Sequence, residues 1–149
     1  MTEPLKHELG QTLMLALADF QRRLDEDLAR RGVAGIRTRH RAVFIYLNRF
    51  GASRSVDLAA AAGIRPQSMM KIVHELEDLR LVTRREDPRD SRAKLIEFTP
   101  AGQDLIDELT QSTEAVWEQY ASMLGAAELE RTLGSLKRLI SSDTEGVKP

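Results

Sequence analysis

The chain has 149 residues, no cysteine, 5% aromatic and 30% charged residues, and a formal net charge of −1 at pH 7. A chain of this length is one domain's worth and buries roughly 70% of its unfolded surface, so no disulfide or metal is needed for folding. Without cysteine, a thiolate nucleophile, a disulfide framework, a zinc ribbon and thiol-based redox sensing are excluded.

In chain order, Leu9, Leu13, Leu17, Phe20, Leu24 and Leu28 recur at steps of four and three, which predicts a first helix from Leu5 to about Arg31. At ~1.5 Å per residue it is about 40 Å long, too long for a small domain to cover, so part of its stripe is expected to meet another chain. Gly32 and Gly35 break it. Thr38 to Phe50 reads as a second helix with Val43, Phe44, Leu47 and Phe50 inward, ended by Gly51. After an extended Ser53-Arg54-Ser55, Asp57 is expected to cap a short helix to Ala62, closed by Gly63. Pro66 suits the first position of a fourth helix running to about Leu81, and Arg65 before it is a poor cap with another use for its side chain. Residues 81–85 and 93–98 fit two strands of a hairpin whose polar tip is Glu86 to Arg92. Thr99-Pro100 caps and starts a fifth helix, apolar at Leu105, Leu109, Val116, Trp117, Tyr120 and Leu124. Gly125 ends it, and a sixth carries Leu129, Leu133, Leu136 and Ile140 before a polar tail from Ser141 that is expected to fray.

The near-zero net charge conceals a dipole. Residues 28 to 94 hold 15 Lys and Arg against 7 acids, a balance of +8, while the remaining 7 bases and 16 acids at the two ends give −9. Between Leu28 and Val56 there are seven arginines and no carboxylate. A basic middle between acidic ends points to one region that meets a polyanion.

Within that region, two short helices around Gly63 match a helix-turn-helix: Ala59 is small at the crossing, and Gly63 permits positive φ. With Met69, Ile72, Val73 and Leu76 inward, Gln67, Ser68, Met70, Lys71 and His74 fall on the outer face, a mixture suited to base edges in a major groove. Arg54, Arg65 and Arg84 are candidates for phosphates. The hairpin makes the motif winged: Arg89, with Arg92 beside it, is the candidate for the minor groove, and Asp87 and Asp90 are expected to brace the loop.

The run Asp87-Pro88-Arg89-Asp90-Ser91-Arg92-Ala93-Lys94-Leu95-Ile96, followed by Phe98-Thr99-Pro100-Ala101-Gly102, resembles the wing signature of the MarR family of bacterial transcription regulators. The similarity extends upstream through Leu76-Glu77-Asp78-Leu79-Arg80-Leu81-Val82, and helix order and length agree over nearly the whole chain. The resemblance implies a mainly α fold with a small β-hairpin wing, and an obligate homodimer built from the first and last two helices. It also implies a palindromic operator, usually repressed, often released by a small aromatic or phenolic ligand. Residues 37–98 are then the DNA-binding domain, and 1–36 with 99–149 the dimerisation region. Arg80 stands where the family commonly has glycine, which puts the turn into the first wing strand in doubt, and the lack of cysteine excludes the peroxide-sensing branch. By analogy a ligand pocket lies where the first, second and fifth helices converge, with Arg37, His40, Phe44 and Trp117 as its candidate lining.

Other chemistries find little support. His7, His40 and His74 lack metal-ligand spacing, and no Walker loop, dinucleotide glycine run or serine elbow is present, so no enzyme activity, metal or cofactor is expected. No apolar run approaches the ~20 residues of a membrane span, and Met1-Thr2-Glu3-Pro4-Leu5-Lys6 lacks a signal peptide's apolar stretch, so a cytoplasmic, nucleoid-associated bacterial protein is expected. The rival from another class is a winged-helix module that contacts protein through its hairpin, its basic charge merely solubilising it.

Overall fold

The computed structural model describes residues 3–141. Six helices and one hairpin follow in the order α1 (Glu3–Arg30), α2 (Thr38–Phe50), α3 (Ser55–Ala62), α4 (Pro66–Asp78), β1 (Val82–Asp87), β2 (Asp90–Phe98), α5 (Pro100–Leu124) and α6 (Ala126–Ser141). The expected polar tail lies, beyond Ser141, outside the described residues.

Three boundaries differ from expectation, each for a local reason. Helix α3 starts two residues early: Arg54 is the extended N-cap residue, and Asp57 sits inside the first turn, where its charge complements the helix dipole. Helix α4 stops at Asp78 because Arg80 adopts φ +60, so the chain turns before the first strand. The hairpin is longer than its apolar runs, and pairing continues to Asp87↔Asp90 with an irregularity at Glu86/Asp87. Polar residues extend the two-stranded arm because most of its tip faces solvent, with Asp87 the buried exception.

The core of the winged lobe gathers Val43, Phe44 and Leu47 of α2, Leu58 and Ala59 of α3, Met69, Ile72, Val73 and Leu76 of α4, Val82 and Ile96 of the wing, and Leu105 and Ile106 of α5. Full burial of a side chain such as Leu76 or Phe44 stabilises by about 1.5–3 kcal/mol. A second cluster, Leu24, Leu28 and Val116 with Phe20 and Tyr120 against it, joins α1 to α5. An isolated antiparallel bridge between Ser53 and Ile96 adds a single-residue third segment to the wing and fixes its root to the start of α3.

The wing is also tied to α5. The Thr99 hydroxyl donates to the Arg80 carbonyl at 2.6 Å and accepts from Gly102 N–H at 3.1 Å, and Thr99 N–H donates to the Leu81 carbonyl. Gly102 makes this junction possible: a Cβ there would lie 2.0 Å from the Leu81 oxygen.

Beyond these contacts, α1 leaves the lobe. Leu5, Leu9, Leu13 and Leu17 are 41–64% exposed, and Leu133 and Leu136 on α6 about 40%. No described helix is long and apolar enough to cross a membrane.

Candidate nucleic-acid interface

Helix α4 buries one side and presents the other. Met69, Ile72, Val73 and Leu76 lie in the core, while Gln67, Ser68, Lys71 and His74 are exposed and Met70 is half-buried at the edge. The exposed set falls at steps of one, three and three, which is one face of a helix. Gly63, at φ +66, closes α3 and sets α4 across it; Ile64 N–H returns to the Ala59 carbonyl. Arg65 is extended and exposed at the mouth of α4, and its side chain takes no part in capping.

The cations around this face divide into two groups. Arg54, expected at a phosphate, instead donates through Nε and Nη2 to Asp87 at 2.8 and 2.6 Å. Arg84, another phosphate candidate, donates through Nε to Glu77 at 2.7 Å and rests against His74 at 3.0 Å. Arg85 is held by Glu97 at 2.8 Å. By contrast, among the described residues the charged groups of Arg65, Lys71, Arg89 and Arg92 make no hydrogen bond and are exposed. Spacing alone could not separate the two groups, because the carboxylates that claim Arg54 and Arg84 come from 33 residues later and 7 residues earlier.

Asp87 is the hub of the wing. Its side chain is buried, accepts Arg89 N–H at 2.9 Å on one oxygen and the Arg54 guanidinium on the other. The Arg89 amide and then Arg54 hold its carboxyl below the usual carboxylate range. Asp90 accepts Arg92 N–H at 3.0 Å in the same manner. Both aspartates therefore shape the tip and leave the Arg89 and Arg92 side chains pointing into solvent.

A cavity of about 600 Å³ opens between α1, α2 and α5, lined mainly by apolar side chains including Leu17, Phe20, Phe44 and Ile45. Of the four residues expected there, Phe44 alone lines it. Arg37 is the exposed N-cap residue of α2, Trp117 is half-buried elsewhere on α5, and His40 is buried against α4. The face of α2 that meets the cavity carries Thr38, Arg41, Ala42, Ile45 and Asn48, one position round from the predicted one. Arg41 is the residue sequence reasoning missed. Its side chain is 10% exposed, Nη2 donates to Asp25 of α1, and Nε and Nη1 are buried without a partner. The available signal was its place one turn before Phe44 and Ile45 in the acid-free arginine run. Among the described residues, no group of three or more His, Asp or Glu is arranged to hold a metal ion.

A helix-turn-helix whose second helix is polar outside, flanked by a hairpin with free guanidinium groups, defines a winged helix-turn-helix protein. Residues 34–93 match the model of the MarR family. A relative from Thauera aromatica, named for regulation of an hcr operon, is 31% identical over 101 residues, 68% of this chain and 60% of its own. The HTH-type transcriptional repressor NicR of Pseudomonas putida is 29% identical over 93 residues, 62% of this chain and 59% of its own. The chain thus spans about 60% of the length of the curated relatives it matches. The apo form of MarR from E. coli superposes with a TM-score of 0.74 at 19% identity, covering 89% of this chain and 96% of that one, a likeness of fold.

Proposed function

We propose that this protein is a sequence-specific transcription regulator of the repressing kind, without enzyme activity, that binds a palindromic operator as a homodimer and is released by a small aromatic acid. The observation that carries the reading is the division of the cations: Lys71 on α4, Arg65 at its mouth and Arg89 and Arg92 on the wing are free, beside the exposed Gln67 and Ser68 and the His74 that Arg84 contacts, while Arg54, Arg84 and Arg85 are held by carboxylates. Arginines committed to carboxylates stiffen the frame, and uncommitted ones remain for phosphates and the minor groove. Residues 37–98 form the reading domain, and 1–36 with 99–149 the dimerisation region. The bare leucines of α1 and α6 support a second copy as their cover, since exposed apolar stripes of this extent mark an association surface. A two-fold pair sets its reading helices about 34 Å apart, one turn of duplex.

The cavity supports the effector. A guanidinium in the wall of a largely apolar cavity matches a carboxylate attached to a ring. Arg41 replaces Arg37 and His40 as the cation proposed to hold it. Operation in the cytoplasm at the bacterial nucleoid follows from the reading.

Selection of fragments from random duplex DNA by the purified protein tests the proposal. A twofold-symmetric consensus is expected; enrichment of no sequence refutes it. Salt separates the rival, because binding through phosphates loses orders of magnitude in affinity between low and moderate salt, whereas an apolar protein interface barely responds.

A further inference from the structure

Helix α2 stands between the cavity and the reading helix, and its first turn holds a histidine with both ring nitrogens occupied. His40 is 3% exposed. Its Nδ1 accepts the Arg37 backbone N–H at 3.0 Å, the N-terminal contact of α2. With Nδ1 acting as acceptor, Nε2 carries the proton in the neutral ring. That Nε2–H donates to Glu75 of α4 at 2.6 Å. Glu75 also accepts from Arg39 Nε at 2.9 Å, so α2 grips α4 at one carboxylate by two donors. Arg39 and then His40 pull the Glu75 carboxyl down to about 2, keeping it ionised throughout the neutral range.

Glu75 adjoins His74 on the exposed face and lies one turn beyond Lys71. A carboxylate on the reading helix repels phosphate unless it is occupied, and here it is occupied from behind. We propose that the His40–Glu75 hydrogen bond is a tether that sets the rotation of α4 about its axis, and thereby the sequence specificity of its outer face; His40 and Glu75 are positioning residues that touch no base. This inference rests on the reading of α4 as the recognition helix. Apolar packing of Met69, Val73 and Leu76 holds α4 onto the lobe but is tolerant of small rotations, whereas a charge-assisted hydrogen bond has one narrow optimum of distance and angle.

Asparagine and glutamine separate the two halves of the histidine. In His40→Asn, the amide oxygen replaces Nδ1 and keeps the Arg37 N–H partner, while the shorter side chain loses Glu75. In His40→Gln, the terminal NH₂ replaces Nε2–H and reaches Glu75, while the N-terminal contact is lost. Affinities are measured for the consensus duplex selected by the wild-type protein and for a scrambled duplex of the same length, with thermal melts alongside. The tether predicts that His40→Asn lowers the ratio of consensus to scrambled affinity about tenfold, the scale of one charge-assisted hydrogen bond, with scrambled-duplex binding unchanged; Glu75→Ala lowers the same ratio, with scrambled-duplex binding equal or tighter because Arg39 is freed. His40→Gln is expected to retain the ratio within about twofold, less than half a kcal/mol. A merely structural role for His40 lowers both affinities together, in step with the melts, and overturns the tether. So does a His40→Asn protein as selective as wild type, or a His40→Gln protein that loses selectivity equally. If the wild-type protein selects no consensus, the recognition reading itself falls, a result distinct from all of these.

Discussion

Replacing Gly102 by alanine sets two well-defined effects against each other. Gly102 lies in the first turn of α5 with ordinary helical backbone, so alanine should gain up to about 1 kcal/mol of helix propensity. Its Cβ, however, would stand 2.0 Å from the Leu81 carbonyl oxygen and 3.0 Å from both the Leu81 carbonyl carbon and Phe98 Cδ1. The first of these is more than about 1 Å short of van der Waals contact, the other two about half an ångström short. Relief requires movement of backbone rather than of a flexible side-chain end, and Leu81 cannot move freely because its oxygen accepts Thr99 N–H at 3.1 Å and its own N–H donates to Leu76. Overpacking of this kind costs about 3 kcal/mol, leaving a net loss of about 2 kcal/mol and a melting temperature about 4–8 °C lower. Since Leu81 leads directly into β1, the displaced wing should also bind duplex DNA less tightly at matched folded fraction. Calorimetry decides the sign. A melting temperature equal to or above that of the wild type refutes the claim that the wing and α5 meet at this glycine.

Arg80→Gly should act in the opposite direction: releasing a non-glycine residue from φ +60 stabilises by about 1 kcal/mol, read as a higher denaturant midpoint at unchanged slope. A lower midpoint would show that the arginine is not strained. Arg89→Ala is expected to weaken consensus binding by about 1–3 kcal/mol, and Arg65→Ala, which removes one cation from each protomer, to reduce the steepness of log affinity against log salt by about 2, both in fluorescence titrations. Arg84→Ala should leave that slope unchanged, because Glu77 already holds its guanidinium. Acid stability tests the ion pair of α1: Arg31 draws the Asp27 carboxyl down to about 2, so its contribution to stability is present above about pH 4 and is lost as pH falls toward 2. Asp27→Asn should therefore flatten the acid limb of the melting profile, and an unchanged limb would remove Asp27 from it.

The sequence announced its helices because their apolar spacing is local. Leu9 to Leu28 needs no knowledge of any partner, and Thr99-Pro100 and Gly63 mark a start and a stop through backbone chemistry alone. The outer face of α4 was legible for the same reason: once Met69, Ile72, Val73 and Leu76 are inside, the positions of Gln67, Ser68, Lys71 and His74 follow from 3.6-residue geometry. Pairings across the chain were not legible. That Arg54 belongs to Asp87, Arg84 to Glu77 and His40 to Glu75 depends on how α2, α4 and the wing approach in space. The cavity was misplaced by a single step round α2, from Arg37 and His40 to Thr38 and Arg41, about 100° of helix. Arg80 shows a further limit: a turn that favours glycine accepts arginine at modest cost when Thr99 holds its carbonyl.

The central claim, that the free cations of α4 and the wing grip a duplex from both halves of a dimer, is tested most directly by titrating the selected duplex across a range of salt concentrations. The four uncommitted cations that each protomer presents on α4, at its mouth and on the wing, Arg65, Lys71, Arg89 and Arg92, predict one dimer per duplex and, at eight per dimer, a slope of log affinity against log salt of about −7. A slope near zero, or saturation by one monomer per duplex, would contradict it.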